Sequence, residues 1–420
     1  MGADFAAVRE RVARLRSGLP ALDVASAARD VVVIASSSRG GSSIFAEVLR
    51  RSPSLLHFRA EVNPQLRLFG CEGDEDDTVP AEFPIPPGLG LALGADCGRP
   101  ADRLDDDAAI DAFAREIAAR LVLQWPELPI ELGPVLADVR ACTAPGPFGD
   151  AQAFYARFFA RLAARWPSFH PGAYDLDRRG IEGIGPSVPF VPVAPVEEPP
   201  YVLPLPWRHA TPNELATQPL IIKTPSNAYR LPWLRRLFPN ARVRVLHLTR
   251  NAAASINGLY DGWRFPGFHS HEVGNLDIGG YSDTTPGGDR WWKFDRPPGW
   301  RAYSHAPLEQ VCAYQWTSAH RAVLAETASD SFSLRFEDVL GSRQRQEDAM
   351  GRLSDWLGAP VHDKLAGVLA QGLPLVMATE QPRHRRWFAR VEMLGPVCAQ
   401  PEVRAVLDAL GYVGDPTGWE

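Results

Sequence analysis

Val31-Val32-Val33-Ile34-Ala35 runs into Ser36-Ser37-Ser38-Arg39-Gly40-Gly41-Ser42-Ser43, and Ile44-Phe45-Ala46-Glu47-Val48-Leu49-Arg50-Arg51 follows. The first five residues are apolar and mostly β-branched without polar alternation, the pattern of a strand buried on both faces of a parallel sheet. The last eight carry apolar residues at helical spacing, and Ser52-Pro53 stops them. The unit is therefore strand, Gly/Ser loop, helix. Gly40 and Gly41 permit positive φ and close approach of a ligand. The first N–H groups of the following helix lack intrahelical acceptors, and the helix dipole reinforces them. Ser42 and Ser43 add hydroxyl donors and Arg39 a fixed cation, which makes the loop an anion cradle. A plain β-to-α turn of small residues is the bland alternative.

The nucleotide-triphosphate loop GxxxxGK[ST] has a Lys where Gly41 stands here. The strand Arg242–Leu248 (RVRVLHL) ends in Thr249-Arg250, not in the acid that would carry magnesium. The cradle reads as one that works without a metal.

Regular patterning continues on either side. Residues 4–17 form an amphipathic helix by spacing, and Leu55–Phe58 is a short second strand. Pro219–Lys223 is a strand and Leu231–Leu237 a helix; Arg242–Leu248 is a strand and Ala252–Leu259 a helix. Leu308–Ala325 is helical, Phe332–Phe336 strand-like and Glu347–Leu357 helical. This alternation predicts a three-layer α/β fold, a mostly parallel sheet covered on both faces. Prolines and glycines concentrate between about 80 and 210 and between 262 and 301, marking loop-rich insertions. The expected organisation is an N-terminal helical extension (1–28), an α/β core (29–70 and 215–420) and a large helical and loop insertion (71–214). An aromatic-rich lid loop (260–306) completes it. Helices are expected near 107–125 and 149–166, a proline-rich run over 185–206, and a solvated acidic surface at Glu72–Asp77.

Composition bounds the function. Of 420 residues, 45% are hydrophobic and 22% charged, and the formal net charge is −6. That balance argues against broad binding to nucleic acid or an anionic membrane. No apolar run approaches a spanning helix. The N-terminus lacks a signal-peptide core, and Ala6 breaks the myristoylation pattern that Gly2 would open. Cysteines 71, 97, 142, 312 and 398 are scattered without a CxxC pair, as expected for reduced thiols in a cytoplasmic protein with neither disulfides nor a zinc site.

Three stretches together resemble the family of sulfotransferases that use 3′-phosphoadenosine 5′-phosphosulfate (PAPS), in its carboxylate-base branch. Ser38-Arg39-Gly40-Gly41-Ser42-Ser43 fits the 5′-phosphosulfate loop. Residues 221–259, IIKTPSNAYRLPWLRRLFPNARVRVLHLTRNAAASINGL, look like the central block, and Leu334-Arg335-Phe336-Glu337-Asp338-Val339 is similar to a third segment. The resemblance implies a P-loop-containing sulfotransferase fold and transfer of a sulfuryl group from PAPS to a hydroxyl, with no metal required. It implies that Arg39 and Lys223 flank the transferred group and the bridging oxygen. Glu61 is then the general base, with His57, His269, His271 or His305 as the histidine alternatives. Arg250 matches the Arg at the donor's 3′-phosphate. The Ser expected eight residues on is Gly258 here, so Ser255, three residues earlier on the same helical face, would supply that hydroxyl, with Asn257 the other candidate contact. Arg383-His384-Arg385-Arg386-Trp387 is the one comparable C-terminal basic cluster, with Arg385 a donor contact.

Residues 260–306 hold Trp263, Phe265, Phe268, Tyr281, Trp291, Trp292, Phe294, Trp300 and Tyr303 among glycines and prolines. They suggest either a wall over an apolar acceptor or a loop anchored by its own rings. The insertion, as the other wall, implies a small-molecule acceptor larger than a simple phenol, such as a natural-product hydroxyl. Three readings compete: a nucleotide kinase or other phosphotransferase, a non-catalytic nucleotide-binding module, and sulfation that creates a leaving group for elimination or cyclisation. Oligomeric state is not encoded in any motif.

Overall fold

The computed structural model describes residues 4–73, 75–176, 196–268, 270–326, 330–379 and 385–413. Gly2, Asp74, His269, Arg383 and His384, together with much of the proline-rich run, lie outside them.

The seven strands of the main sheet are β1 (Asp30–Ala35), β2 (Leu56–Phe58), β3 (Cys97–Pro100), β4 (Trp207–His209), β5 (Leu220–Lys223), β6 (Arg242–Thr249) and β7 (Ser331–Arg335). Their order is β7-β6-β1-β5-β2-β3-β4. The apolar run of β1 lies at the centre, parallel to β5 (Val31 opposite Leu220) and to β6 (Asp30 opposite Arg242). Both its faces are covered. Val32 and Ile34 join Phe45, Val48, Leu246 and Leu334 on one side, while Val31, Val33 and Ala35 join Ile222, Leu234 and Val323 on the other. That two-sided burial is why β1 carries no polar alternation.

Seven helices matter for the site: α1 (Phe5–Leu15), α2 (Ser42–Leu49), α3 (Asp107–Gln124), α4 (Ala151–Arg165), α5 (Leu231–Leu237), α6 (Ala252–Arg264) and α7 (Leu308–Glu326). Strand and helix assignments in the core follow the sequence patterns closely.

The insertion is more integrated than its composition suggests. It supplies β3 and β4, which extend the sheet antiparallel from β2 (His57 opposite Gly98; Gly98 opposite His209). Its helices build a core of their own, in which Phe113, Ile117 and Val122 of α3 meet Phe154, Phe158 and Leu162 of α4. Helix α1 belongs to this second core through Val8, Val12 and Leu15. The N-terminal helix is thus packed on the insertion. Arg16 joins it to the insertion, bonding Asp96 at 2.5 Å and Glu116 at 2.9 Å. Arg59 and Arg120 complete a buried network with the same acids, and Arg120 also meets Glu197 at 2.6 Å.

Two other expectations change. Of the described acids between Glu72 and Asp77, Glu75 is exposed as expected, but Glu72 is bound by Arg67, and Asp77 is buried, accepting from the Ser226 hydroxyl at 2.8 Å. Within 260–306 several rings serve as core. Trp263, Tyr281, Trp292 and Trp300 are buried together against α6 and α7, a core fixed by edge-on ring contacts. Among the described residues, no helix is long and apolar enough to cross a membrane, and all five cysteines are buried and free.

Candidate active site

Strand β1 delivers Ser36, Ser37 and Ser38 into the interior at its C-terminal end, where α/β sheets present their ligand-binding groups. Gly40 N–H donates to the Ser37 carbonyl at 3.1 Å and closes the turn. Arg39 (φ 61°) and Gly41 (φ 97°) are both left-handed. Gly41 needs to be glycine twice over, because a Cβ there would also lie 2.6 Å from the Phe336 ring. The Ser36 and Ser37 hydroxyls and the Arg39 Nε are buried with no hydrogen-bond partner among the described residues. Unmet polar groups around a helix N-terminus are what an anion cradle would show.

Two further strand ends converge on this loop. Lys223 closes β5, and its Nζ donates to Ser43 Oγ at 2.9 Å while pairing with Glu61. Glu61 follows β2 and keeps 36% of its side chain exposed. Thr224 Oγ1 accepts from Val62 N–H at 3.2 Å, so the Lys-Thr pair ties the Glu61 turn to the end of β5. Ser38, Arg39, Gly41, Ser42, Ser43, Glu61, Lys223, Arg250 and Arg385 all line one cavity of about 630 Å³; Gly40 is buried beneath it.

Arg250 leaves β6 beside the loop, its Nη1 donating to the Arg39 carbonyl at 3.5 Å and its guanidinium lying over Phe336. Glu337 fixes this turn from below, accepting from the Asn251 N–H and Nδ2 at 2.8 Å each. The C-terminal cluster arrives from the other side. Arg386 pairs with Asp261, and Arg390 meets Asp261 at 2.6 Å and Asn257 Oδ1 at 2.7 Å. Burial pushes the Arg39 guanidinium down to about 10, with the charges of Arg250 and Arg386 adding to it. Burial also lowers Arg250. A buried guanidinium whose charge is disfavoured by two neighbouring cations is a place that an anion would relieve.

Ser255 stands apart from this site. Along α6, Ala254, Asn257 and Gly258 face the cavity, and a 100° step turns Ser255 into the core. Gly258 has a steric reason of its own: a Cβ there would lie 3.3 Å from the Arg39 Cβ. Asn257 takes the cavity face, but its amide oxygen is held by Arg390.

The two insertions also line the cavity. Arg120, Glu197, Glu198, Pro199 and Val202 line it from 71–214, and Phe268, His271 and Phe294 from 260–306. Of the histidine alternatives, His57 is buried away from the cavity and pushed well below its ordinary value by burial; His305 is exposed. His271 lines the cavity and is lowered by the same cause. Sequence reasoning missed Asp295, Asp77 and Asp261, three acids that hold the site's polar groups. An isolated acid in an aromatic or acidic stretch carries no spacing signal.

No family model matches the sequence, and neither does any curated protein. Three solved structures are similar to the chain. The sulfotransferase domain from the curacin biosynthetic pathway has 11% identity and a TM-score of 0.40 over 92% of this chain and 99% of that one. Sulfotransferase STF9 from Mycobacterium avium has 13% identity and a TM-score of 0.39 over 97% and 83%. Sulfotransferase STF1 from Mycobacterium tuberculosis has 11% and 0.34 over 98% and 94%.

Proposed function

We propose that the protein is a sulfotransferase that moves a sulfuryl group from PAPS to a hydroxyl of a small-molecule acceptor. One observation carries this reading: Lys223 bridges Ser43 of the anion loop and the carboxylate Glu61 inside a single cavity. A donor-binding cation and a proton acceptor are thereby set side by side.

PAPS supplies a sulfuryl group already activated by its phosphate leaving group. The residues fit it: the loop from Ser38 to Ser43 would hold the 5′-phosphosulfate, and Arg250 with Arg385 the 3′-phosphate. Arg39 and Lys223 neutralise charge that develops on the bridging oxygen, a preorganised electrostatic role. Glu61 takes the proton of the acceptor hydroxyl, a contribution of roughly 100- to 10,000-fold when the geometry is right. The Lys223 contact holds the Glu61 carboxylate beside the loop until the acceptor arrives. The acceptor wall mixes rings (Phe268, Phe294) with prolines and ion pairs. That favours an acceptor larger than a simple phenol, of natural-product type, bearing both apolar and hydrogen-bonding surface.

The test is turnover: PAPS is incubated with a graded panel of hydroxylated acceptors and release of adenosine 3′,5′-bisphosphate is followed. Sulfated product is expected, formed best from acceptors larger than phenol. No acceptor-dependent release from any member would contradict the reading, and saturating turnover of phenol alone would remove the size argument.

A further inference from the structure

The aromatic segment reaches the anion loop through one carboxylate. Asp295 is 5% exposed and lines the cavity. Its Oδ1 accepts from Ser38 Oγ at 2.6 Å and its Oδ2 from the Tyr229 hydroxyl at 2.7 Å. Its carbonyl accepts from Trp292 Nε1 at 3.0 Å and Gln315 Nε2 at 2.8 Å. Gln315, on α7, also takes Trp263 Nε1 at 3.0 Å. The carboxylate is thus held on the rigid aromatic core and pressed against the loop. Among the described residues, no cation pairs with it. Lys293, two positions earlier, turns away and donates to the Phe265 carbonyl at 2.5 Å. The facing ionisable groups are the Tyr229 and Tyr314 phenols and the Asp77 carboxylate, itself held by the Ser226 hydroxyl and the Arg296 N–H, while Arg230 Nε donates to the Asp77 carbonyl. Burial raises the Asp295 carboxyl to about 6, and the Asp77 charge adds to the rise.

We propose that Asp295 is the positioning residue of the anion loop, and that it takes up one proton when a polyanion occupies that loop. The proposal rests on the reading of the loop as the donor site. Without ligand, ionised Asp295 fixes the Ser38 hydroxyl as its donor. A polyanion beside a buried, unpaired carboxylate favours its neutral form. The proton comes from solvent and adds to Oδ1. The new O–H donates to Ser38 Oγ, and the Ser38 proton, on a freely rotating hydroxyl, turns from Asp295 into the cavity. Charge balances, one solvent proton being bound for one carboxylate neutralised. The loop gains a donor just when an anion needs it.

The experiment is titration calorimetry of wild type, Asp295→Asn and Ser38→Ala with adenosine 3′,5′-bisphosphate and with ATP. It is run from pH 5.5 to 8.5 in buffers of different ionisation enthalpy. Asp295→Asn mimics the neutral acid in shape. Wild-type affinity is expected to fall against Asp295→Asn by at least about tenfold across that range, since each unit of linkage is worth tenfold. Titration of the phosphates themselves is common to all variants and cancels in the ratio. At pH 7 the wild type is expected to bind more protons than either variant. Should Asp295→Asn not fold, Ser38→Ala is read in its place, because loss of the Ser38 hydrogen bond raises the Asp295 carboxyl further before any ligand arrives, so the uptake shrinks. A pH-independent ratio with equal proton counts overturns the role of Asp295 while leaving the donor site standing. Binding of ATP in preference to the bisphosphate contradicts the sulfotransferase reading but still measures Asp295. Failure of wild type to bind either anion overturns both.

Discussion

The two halves of the cavity are built by different physical means. The donor half stands on the ends of parallel strands: the loop after β1, Lys223 closing β5, Glu61 after β2 and Arg250 after β6. Its geometry comes from adjacent backbone, tight turns and a helix N-terminus. The half proposed for the acceptor stands on the insertion, positioned by the buried network of Arg16, Arg59 and Arg120 with Asp96, Glu116 and Glu197, whose paired residues lie up to 100 positions apart. Local turn chemistry makes the donor half, and long-range ion pairing makes the acceptor half. Catalytic power should therefore concentrate in the first and fold stability in the second.

The largest expected effect tests the donor half. Lys223→Met removes the cation between Ser43 and Glu61 and should lower turnover roughly 1,000-fold, the scale for losing one preorganised charge-stabilising donor. Saturation kinetics with PAPS check it, and a loss under tenfold would mean that the bridge is only structural. Next comes the acceptor half. Arg16→Met leaves Asp96 and Glu116 short of a buried partner and should cost about 3 kcal/mol of stability. Thermal unfolding reads that loss, while affinity for adenosine 3′,5′-bisphosphate should stay within about twofold, because Arg16 lies outside the cavity lining. Donor affinity lost in parallel with stability would erase the distinction between the halves.

Glu61→Gln sharpens the comparison from inside the donor half. Donor binding should be retained while turnover drops by roughly 100-fold, the lower range for a general base. Unchanged turnover would shift the proton acceptor to His271, the one described histidine alternative that lines the cavity. The smallest effect belongs to Gly258→Ser. Its Cβ would lie 3.3 Å from the Arg39 Cβ, so the loop must give slightly, and donor affinity should weaken by about threefold rather than gain from the new hydroxyl. Tighter binding would show that Arg39 has more room than this packing allows.

How much was legible in the sequence follows the same division. The unbroken run of β1 fixed the sheet centre, because a strand buried on both faces has no alternative pattern. The glycines after it and the Lys-Thr-Pro block marked strand ends that meet in space. Strands β3 (Cys-Gly-Arg-Pro) and β4 (Trp-Arg-His) were not legible. Neither has strand-like composition, and both exist because β2 offers an edge to pair with. Asp77 looked like part of a solvated acidic run and Asp295 like one acid among aromatics. Their partners, Ser226 and Ser38, lie 149 and 257 positions away. Ser255 shares a helical face with Gly258 by its three-residue spacing, but three steps of 100° leave it about 60° round the helix, enough to turn it into the core.

The central claim is that the crowded guanidiniums of Arg39, Arg250 and Arg386 await a 3′-phosphorylated adenosine donor rather than a magnesium–triphosphate. Titration calorimetry with adenosine 3′,5′-bisphosphate against ATP, with and without magnesium, tests it most directly. Micromolar, metal-independent binding of the bisphosphate, weakened roughly 100-fold in Arg250→Ala as expected for a charge-assisted phosphate contact, is the predicted result. Tighter binding of ATP with magnesium than of the bisphosphate, or bisphosphate binding unaffected by Arg250→Ala, would contradict it.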